Sequence, residues 1–239
     1  MNTKREESIR DIIESFREMS DLVLSQLSLL EKFMTAESDD TRNDLLNKIT
    51  ENERRIDKYE VEVSEKFINS IVLYQPVASD IRKLVAIYRM TLNLERIGDL
   101  VMNITDSTLA IHESEEYRAM SGVILNMLLS GISMVEKALI SFINGDTEYA
   151  VWTIKNDEVV DDMNRKLLIN SIKKAKIQSR TREMLLSYVD MKNILSNIER
   201  IADHATNIAE ASIYSLEGTD IRHTGFALGD PAGINKPSL

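Results

Sequence analysis

Across 239 residues the chain sets 29 Lys and Arg against 39 Asp and Glu, a formal net charge of −10, which makes nucleic acid or an anionic membrane an unfavourable direct partner. Eight Gly and three Pro are few for an all-β chain full of turns, and the dominant residues are good or tolerable helix formers. Cysteine is absent, so disulfides and thiolate metal sites are excluded, and a reducing compartment fits.

The N-terminal residues Met1 to Glu7 pass straight into an amphipathic pattern with no apolar signal core. No apolar run approaches the roughly 18 residues of a membrane span, so the expectation is a cytoplasmic chain without direct membrane insertion. The first helix is predicted from about Glu6 to Met34. Its seam is Ile9, Ile13, Phe16, Ser20, Val23, Leu27, Leu30 and Met34, at coiled-coil-like spacings with one polar member. Ser38-Asp39-Asp40 supplies a loop and a cap for a second helix, from the low 40s to about Leu73, which Gln75-Pro76 ends.

The third helix, about Val77 to His112, turns Ile87, Met90, Leu94, Ile97, Val101 and Ile104 toward a core. Its opposite stripe carries Glu95 and Asp99 among apolar neighbours, where a charge is costly unless compensated. Residues Glu113 to Glu116 mark the midpoint, without a flexible linker. The fourth helix has Met120, Ile124, Met127, Gly131, Met134 and Ala138 on its seam, and Asn144-Gly145-Asp146 reads as stop and restart. A fifth helix covers about Thr147 to Gln178. The sixth, about Arg182 to Leu216, repeats the third, with Met191, Ile194, Ile198, Ile201, Ala205 and Ile208 inward and Gly218 at its end. From Thr219 onward periodicity is lost, as in a loose terminus.

The chain repeats itself. The stretch from Leu94-Glu95-Arg96-Ile97-Gly98-Asp99 through Ile104 returns 104 residues later as Ile198-Glu199-Arg200-Ile201-Ala202-Asp203 through Ile208. Both copies read E-R-I-x-D-x-x-x-N-I. At the same offset Glu53 and Asp57 return as Asp157 and Asp161, and Asp106 as Glu210. Such self-similarity sets the fold class: all-α, with two tandem three-helix bundles related by an internal repeat. The boundaries expected are 1–113, 114–218 and a tail 219–239.

Acids four residues apart share a helix face and repel one another, so a single such pair is best read as a solvated surface pair. Four pairs at one offset weigh differently. On consecutive antiparallel helices they can converge into four carboxylates per bundle, which need a countercharge from Arg, Lys or a hard cation. Thiol-free oxygen sets suit Mg²⁺, Mn²⁺, Ca²⁺ or iron, and a cation is favoured over internal salt bridges. The candidate metal residues are Glu53, Asp57, Glu95, Asp99, Asp157, Asp161, Glu199 and Asp203. Asn103 and Asn207 read as packing residues rather than amide ligands, and His204, whose counterpart is Leu100, as a lone packed or surface His. Without Glu-x-x-His, a nucleophile–His set or a Gly-rich phosphate loop, no catalytic residue and no nucleotide site is assigned, and the expectation is not an enzyme.

The duplicated motif resembles the PhoU family, regulators of phosphate uptake. Pro76-Val77-Ala78-Ser79-Asp80-Ile81-Arg82 is similar to the family's P-x-A-x-D-L-R, and Ile213-Tyr214-Ser215-Leu216-Glu217-Gly218 with Ile221-Arg222-His223 to its closing stretch. The second repeat departs, having Ser179-Arg180-Thr181-Arg182 where the first has the Pro-led stretch. The resemblance implies two three-helix bundles whose E(D)-x-x-x-D motifs hold metal ions, as multinuclear iron clusters in some members, with manganese, zinc or magnesium as the other candidates. It also implies association with the ATPase of a phosphate ABC transporter and with a sensor histidine kinase, damping uptake and starvation signalling when phosphate is plentiful. The competing readings are a carboxylate-bridged phosphohydrolase-like metalloenzyme and a purely structural helical module. The seams of helices one and four leave a homodimer open.

Overall fold

A computed structural model describes residues 2–112, 114–174 and 182–222, excepting the side chains of residue 2, of 167–174 and of 182–184. Six helices succeed one another: α1 (Asn2–Met34), α2 (Asp39–Tyr74), α3 (Ala78–Ile111), α4 (Glu115–Asn144), α5 (Thr147–Lys174) and α6 (Arg182–Glu217). No strand occurs among the described residues. Glu113, the 175–181 connection with most of the departing Ser179-Arg180-Thr181-Arg182 stretch, and the tail beyond 222 lie outside them.

The helix ends are written in the local sequence. Ser38 and Ser114 accept hydrogen bonds from the backbone N–H of Thr41 and Tyr117, each at 3.2 Å, capping α2 and α4. Gly145 takes φ 70° past the end of α4, and Asp146 accepts from the Glu148 N–H at 2.9 Å. Gln75, barred from the right-handed helix by Pro76, turns out at φ 44°.

Helices α1, α3, α6 and α4 form a ring of neighbours, with α2 laid on α1 and α3, and α5 on α4 and α6. The α3–α6 interface is the most extensive in the molecule, so the two bundles share one continuous core. The predicted inward faces are there: Ile87, Met90, Leu94, Ile97, Val101 and Ile104 on α3, and Ile194, Ile198, Ile201, Ala205 and Ile208 on α6, are fully buried. The seams of α1 and α4 are used within the chain, where Phe16 and Phe142 meet edge to face at 5.5 Å. Ser141 and Ser212 pair at 2.9 Å between α4 and α6.

Two expectations are corrected. α1 buries more than its predicted seam: Ile12, Met19, Gln26 and Phe33, seven residues apart, form a second fully buried row. The count of apolar runs also passed over α4, in which one 18-residue window reaches a mean hydropathy of 1.7, as long and apolar as a membrane span by composition alone. The pair Glu136-Lys137 interrupts its apolar run without lowering the average much. In the fold α4 is a core helix, with Ile124, Met127, Met134 and Ala138 buried, while Val123, Leu129, Ile140 and Ile143 remain exposed.

Candidate metal centre

The ring arrangement puts each acid pair of an outer helix against that of an inner one. Glu53 and Asp57 on α2 meet Glu95 and Asp99 on α3; Asp157 and Asp161 on α5 meet Glu199 and Asp203 on α6. The eight predicted acids thus face one another in two groups of four, one per repeat, and among the described residues Asp157, Asp161 and Asp203 are the ones that bring ligand oxygens together.

In the first quartet, burial pushes the Glu53 carboxyl up to about 7, against the hydrogen bond from Gln26, and the charges of Asp57, Asp99 and Glu95 add to the rise. Glu95 is raised by burial and by Asp99. Glu60, the first repeat's counterpart of Asn164, adds a further negative charge near Glu95. Part of the countercharge is a side chain: Arg96 lies 3.4 Å from Glu95 and 3.3 Å from Asp99. Arg96 is 61% exposed, so solvent screens both pairs and each is worth about 1 kcal/mol or less. Asp106 stands exposed, while Glu210, its counterpart, lines a groove with Arg89 and Arg222.

The second quartet is tighter. Asp157, Asp161 and Asp203 each bring a carboxylate oxygen within 4.8 Å of the other two. Asp157 is pushed up to about 6 by burial, then by Asp203 and Asp161. Glu199 and Asp203 are raised too, chiefly by burial. Beside them opens a cavity of about 470 Å³ lined by Glu158, Asp161, Asp162, Arg165 and Glu199.

One position shows how the two copies were fitted. A Cβ on Gly98 would lie 2.7 Å from Glu53 Oε2, inside any tolerable contact. The missing side chain is the cradle that lets the Glu53 carboxylate lie against α3. In the second repeat the same two positions hold Asp157 and Ala202, an acid shorter by one methylene opposite a residue larger by one methyl. The two positions change together, one growing as the other shrinks, as a fixed space between facing helices requires.

His204 lies off the acids, as expected of a packed histidine. Its Nδ1–H donates to Asn93 Oδ1 at 2.8 Å, joining α6 to α3, and burial with the nearby Arg200 and Arg96 charges pulls its pKa down to about 4. Asn103 and Asn207 are exposed. The amides at the acids are ones the sequence reading missed. Gln26 Nε2 donates to Glu53 Oε2 at 2.6 Å, and Asn164 Nδ2 donates to Glu199 Oε2. The available signal for Gln26 was a polar residue in the apolar Ile12–Met19–Phe33 row; for Asn164, its place one turn beyond Asp161.

The residues suit a hard cation. Buried oxygens are poorly satisfied at both quartets: Glu53 Oε1 has no hydrogen-bond partner at the first, and at the second Asp157 Oδ1 has only the neighbouring Thr206 hydroxyl, beyond close hydrogen-bond geometry, to oppose the rise in its pKa. Such atoms cost about 1–3 kcal/mol each when nothing satisfies them. The donors are carboxylates and amides, the chemistry that Mg²⁺, Mn²⁺, Ca²⁺ and iron accept.

Fold and site together define an internally duplicated, all-helical protein that places acid pairs at two corresponding helix junctions, the second drawn more tightly together than the first. The family model described as PhoU domain matches residues 16–108 and 124–212. A Burkholderia sp. protein, "Phosphate-specific transport system accessory protein PhoU homolog", is 31% identical over 204 residues, covering 83% of this chain and 86% of its own length. A Thermotoga maritima protein, "Phosphate-specific transport system accessory protein PhoU homolog 1", is 30% identical over 187 residues, covering 78% and 79%. The chain belongs to the PhoU family. The crystal structure of PhoU from Pseudomonas aeruginosa superposes with a TM-score of 0.72 at 23% identity, over 90% of this chain and 99% of that one. That of the phosphate transport system regulatory protein PhoU from Streptococcus pneumoniae gives 0.71 at 21%, over 91% and 99%. These structures share the six-helix, twice-repeated fold.

Proposed function

We propose that this chain is a non-enzymatic regulator of phosphate-specific transport that carries hard cations at its two acid quartets and works in the cytoplasm as an adaptor. Its relatives are named as accessory proteins of that transport system, which supports the role. The observation that carries the metal part is the convergence of Asp157, Asp161 and Asp203 at the second quartet; the repeat and the partnerless buried Glu53 Oε1 extend the reading to the first. Glu53, Asp57, Glu95 and Asp99 would hold one cation site, and Asp157, Asp161, Glu199 and Asp203 the other. A bound cation, mononuclear or in an iron cluster, would neutralise charge that a shared core cannot spread into water. It would also fasten an outer helix to an inner one, giving the protein a surface whose firmness depends on loading.

The proposed partners are the transporter's ATPase and a sensor histidine kinase. Docking on each is tested by pull-down with the purified component. Elemental analysis of the isolated protein, followed by chelation and reloading, tests the metal. Retention of iron, manganese, zinc or magnesium that is lost in a Glu95→Ala/Glu199→Ala variant is the expected result. Protein that neither retains nor rebinds any of them overturns the metal part, whatever the pull-downs show.

A further inference from the structure

Each quartet keeps company with one buried carboxamide, and the two come from different places in the fold. Gln26 belongs to α1, a helix with no acid in either quartet, and it is fully buried. Asn164 belongs to α5 itself, two turns past Asp157, and is 6% exposed. Both spend their N–H₂ on an acid, Gln26 on Glu53 and Asn164 on Glu199. Both also leave the carbonyl oxygen buried and without a hydrogen-bond partner. A residue kept only for packing would be apolar here, as Ile12, Met19 and Phe33 are in the same row as Gln26. Leucine or methionine at these positions would bury no orphaned oxygen.

We propose that Gln26 and Asn164 are neutral oxygen donors completing the two acid sites, each turning its carboxamide when a hard cation binds so that the partnerless carbonyl oxygen replaces the N–H₂ that faces the acid without it. This rests on the metal reading above and goes further by adding residues outside the repeated acid motif. Amide oxygens are ordinary ligands for such cations and add a donor without adding charge to an already crowded quartet. The two sites then differ in kind. Site one draws in α1 and so ties three helices together, whereas site two is closed by α5 and α6 alone.

The test is Mn²⁺ binding to the full chain, followed by isothermal titration and by the spin-resonance signal of free Mn²⁺, with folding checked by circular dichroism. Asn164→Leu and Gln26→Leu each weaken one class of site by about tenfold or more and leave the other class unchanged. Asn164→Asp and Gln26→Glu keep an oxygen donor while losing the N–H₂, so they retain Mn²⁺ affinity if the oxygen is the ligand. If these two variants lose as much affinity as the leucine variants, the amide acts only by holding the neighbouring acid, and the proposal is overturned. It is equally overturned if the leucine variants bind as the unaltered chain does while Asp203→Asn abolishes a site. If Asp203→Asn and Asp99→Asn leave Mn²⁺ uptake as it was, the metal reading itself fails and this inference falls with it. Hydrogen exchange supplies a separate readout: Mn²⁺ slows exchange in α1 around Gln26, and Gln26→Leu removes that protection.

Discussion

Gly98 and Glu53 make a pair that can be taken apart. Gly98→Ala brings a methyl 2.7 Å from Glu53 Oε2, but that oxygen ends a flexible side chain able to swing aside. Meanwhile the helix gains about 1 kcal/mol from replacing an interior glycine. Moving the carboxylate also breaks the Gln26–Glu53 hydrogen bond and strands a buried donor, at a cost of about 1–3 kcal/mol, so thermal unfolding of Gly98→Ala should show little change or a small loss of stability. Cation binding at the first site should fall about tenfold, because Glu53 has left its cradle. Adding Glu53→Asp recreates the Asp157–Ala202 arrangement of the second repeat and should recover binding, a non-additivity that a double-mutant cycle reads directly. Independent, additive effects would mean that the two positions are not coupled through this space. The acids themselves were legible, since their spacing and repetition need no knowledge of the fold. Gln26 was not, because which of two adjacent rows on α1 faces the acids depends on how α1 rolls against α2 and α3.

The helices carry opposing pH responses. Folded Glu53 titrates near 7 against an ordinary 4.5, and Asp157 near 6 against 3.8, so the folded state holds their protons more tightly than the unfolded one. Their contribution to stability is complete at low pH and is lost as pH rises, between about 4.5 and 7 for Glu53 and between about 3.8 and 6 for Asp157. His204, pulled down from 6.5 to about 4 in the α3–α6 contact, works the other way, losing stability as pH falls through that window. Glu95, Glu199 and Asp203 are also raised, so the acids prevail. Melting curves in chelator should therefore show a more stable protein at pH 5 than at pH 8. His204→Gln, which removes the opposing group and keeps a hydrogen-bonding side chain toward Asn93, should steepen that trend. A flat profile would mean that the quartets are not desolvated.

Taken whole, the molecule rests on the α3–α6 contact rather than on two self-sufficient bundles. A fragment of residues 2–112 would expose the face of α3 that α6 covers, and is expected to unfold or self-associate, as measured by sedimentation and circular dichroism. A monomeric, cooperatively melting fragment would show instead that the first bundle stands alone. Cation loading should act across the shared core. At about 100 times its dissociation constant a ligand adds about 2.7 kcal/mol, or roughly 5–10 °C in melting temperature for a chain of this size. Mn²⁺ added after chelation should raise the melting temperature by that order, more at pH 8 than at pH 5, where protons compete for the same oxygens. The same rise with Na⁺ at matched ionic strength would point to screening alone.

Sequence by itself determined the six helices, the caps at Ser38 and Gly145-Asp146, the inward apolar faces of α3 and α6 and the spacing of the eight acids. Each comes from local geometry: 3.6 residues per turn, a serine or aspartate to cap, a glycine to stop, and a repeat offset visible in one dimension. Only the tertiary structure decided that α3 and α6 weld the halves into one core, that Gly98 exists for Glu53, and that Gln26 and Asn164 stand beside the acids. Those relations depend on the distance and roll between helices, which arise from the packing of whole faces and leave no fixed spacing along the chain.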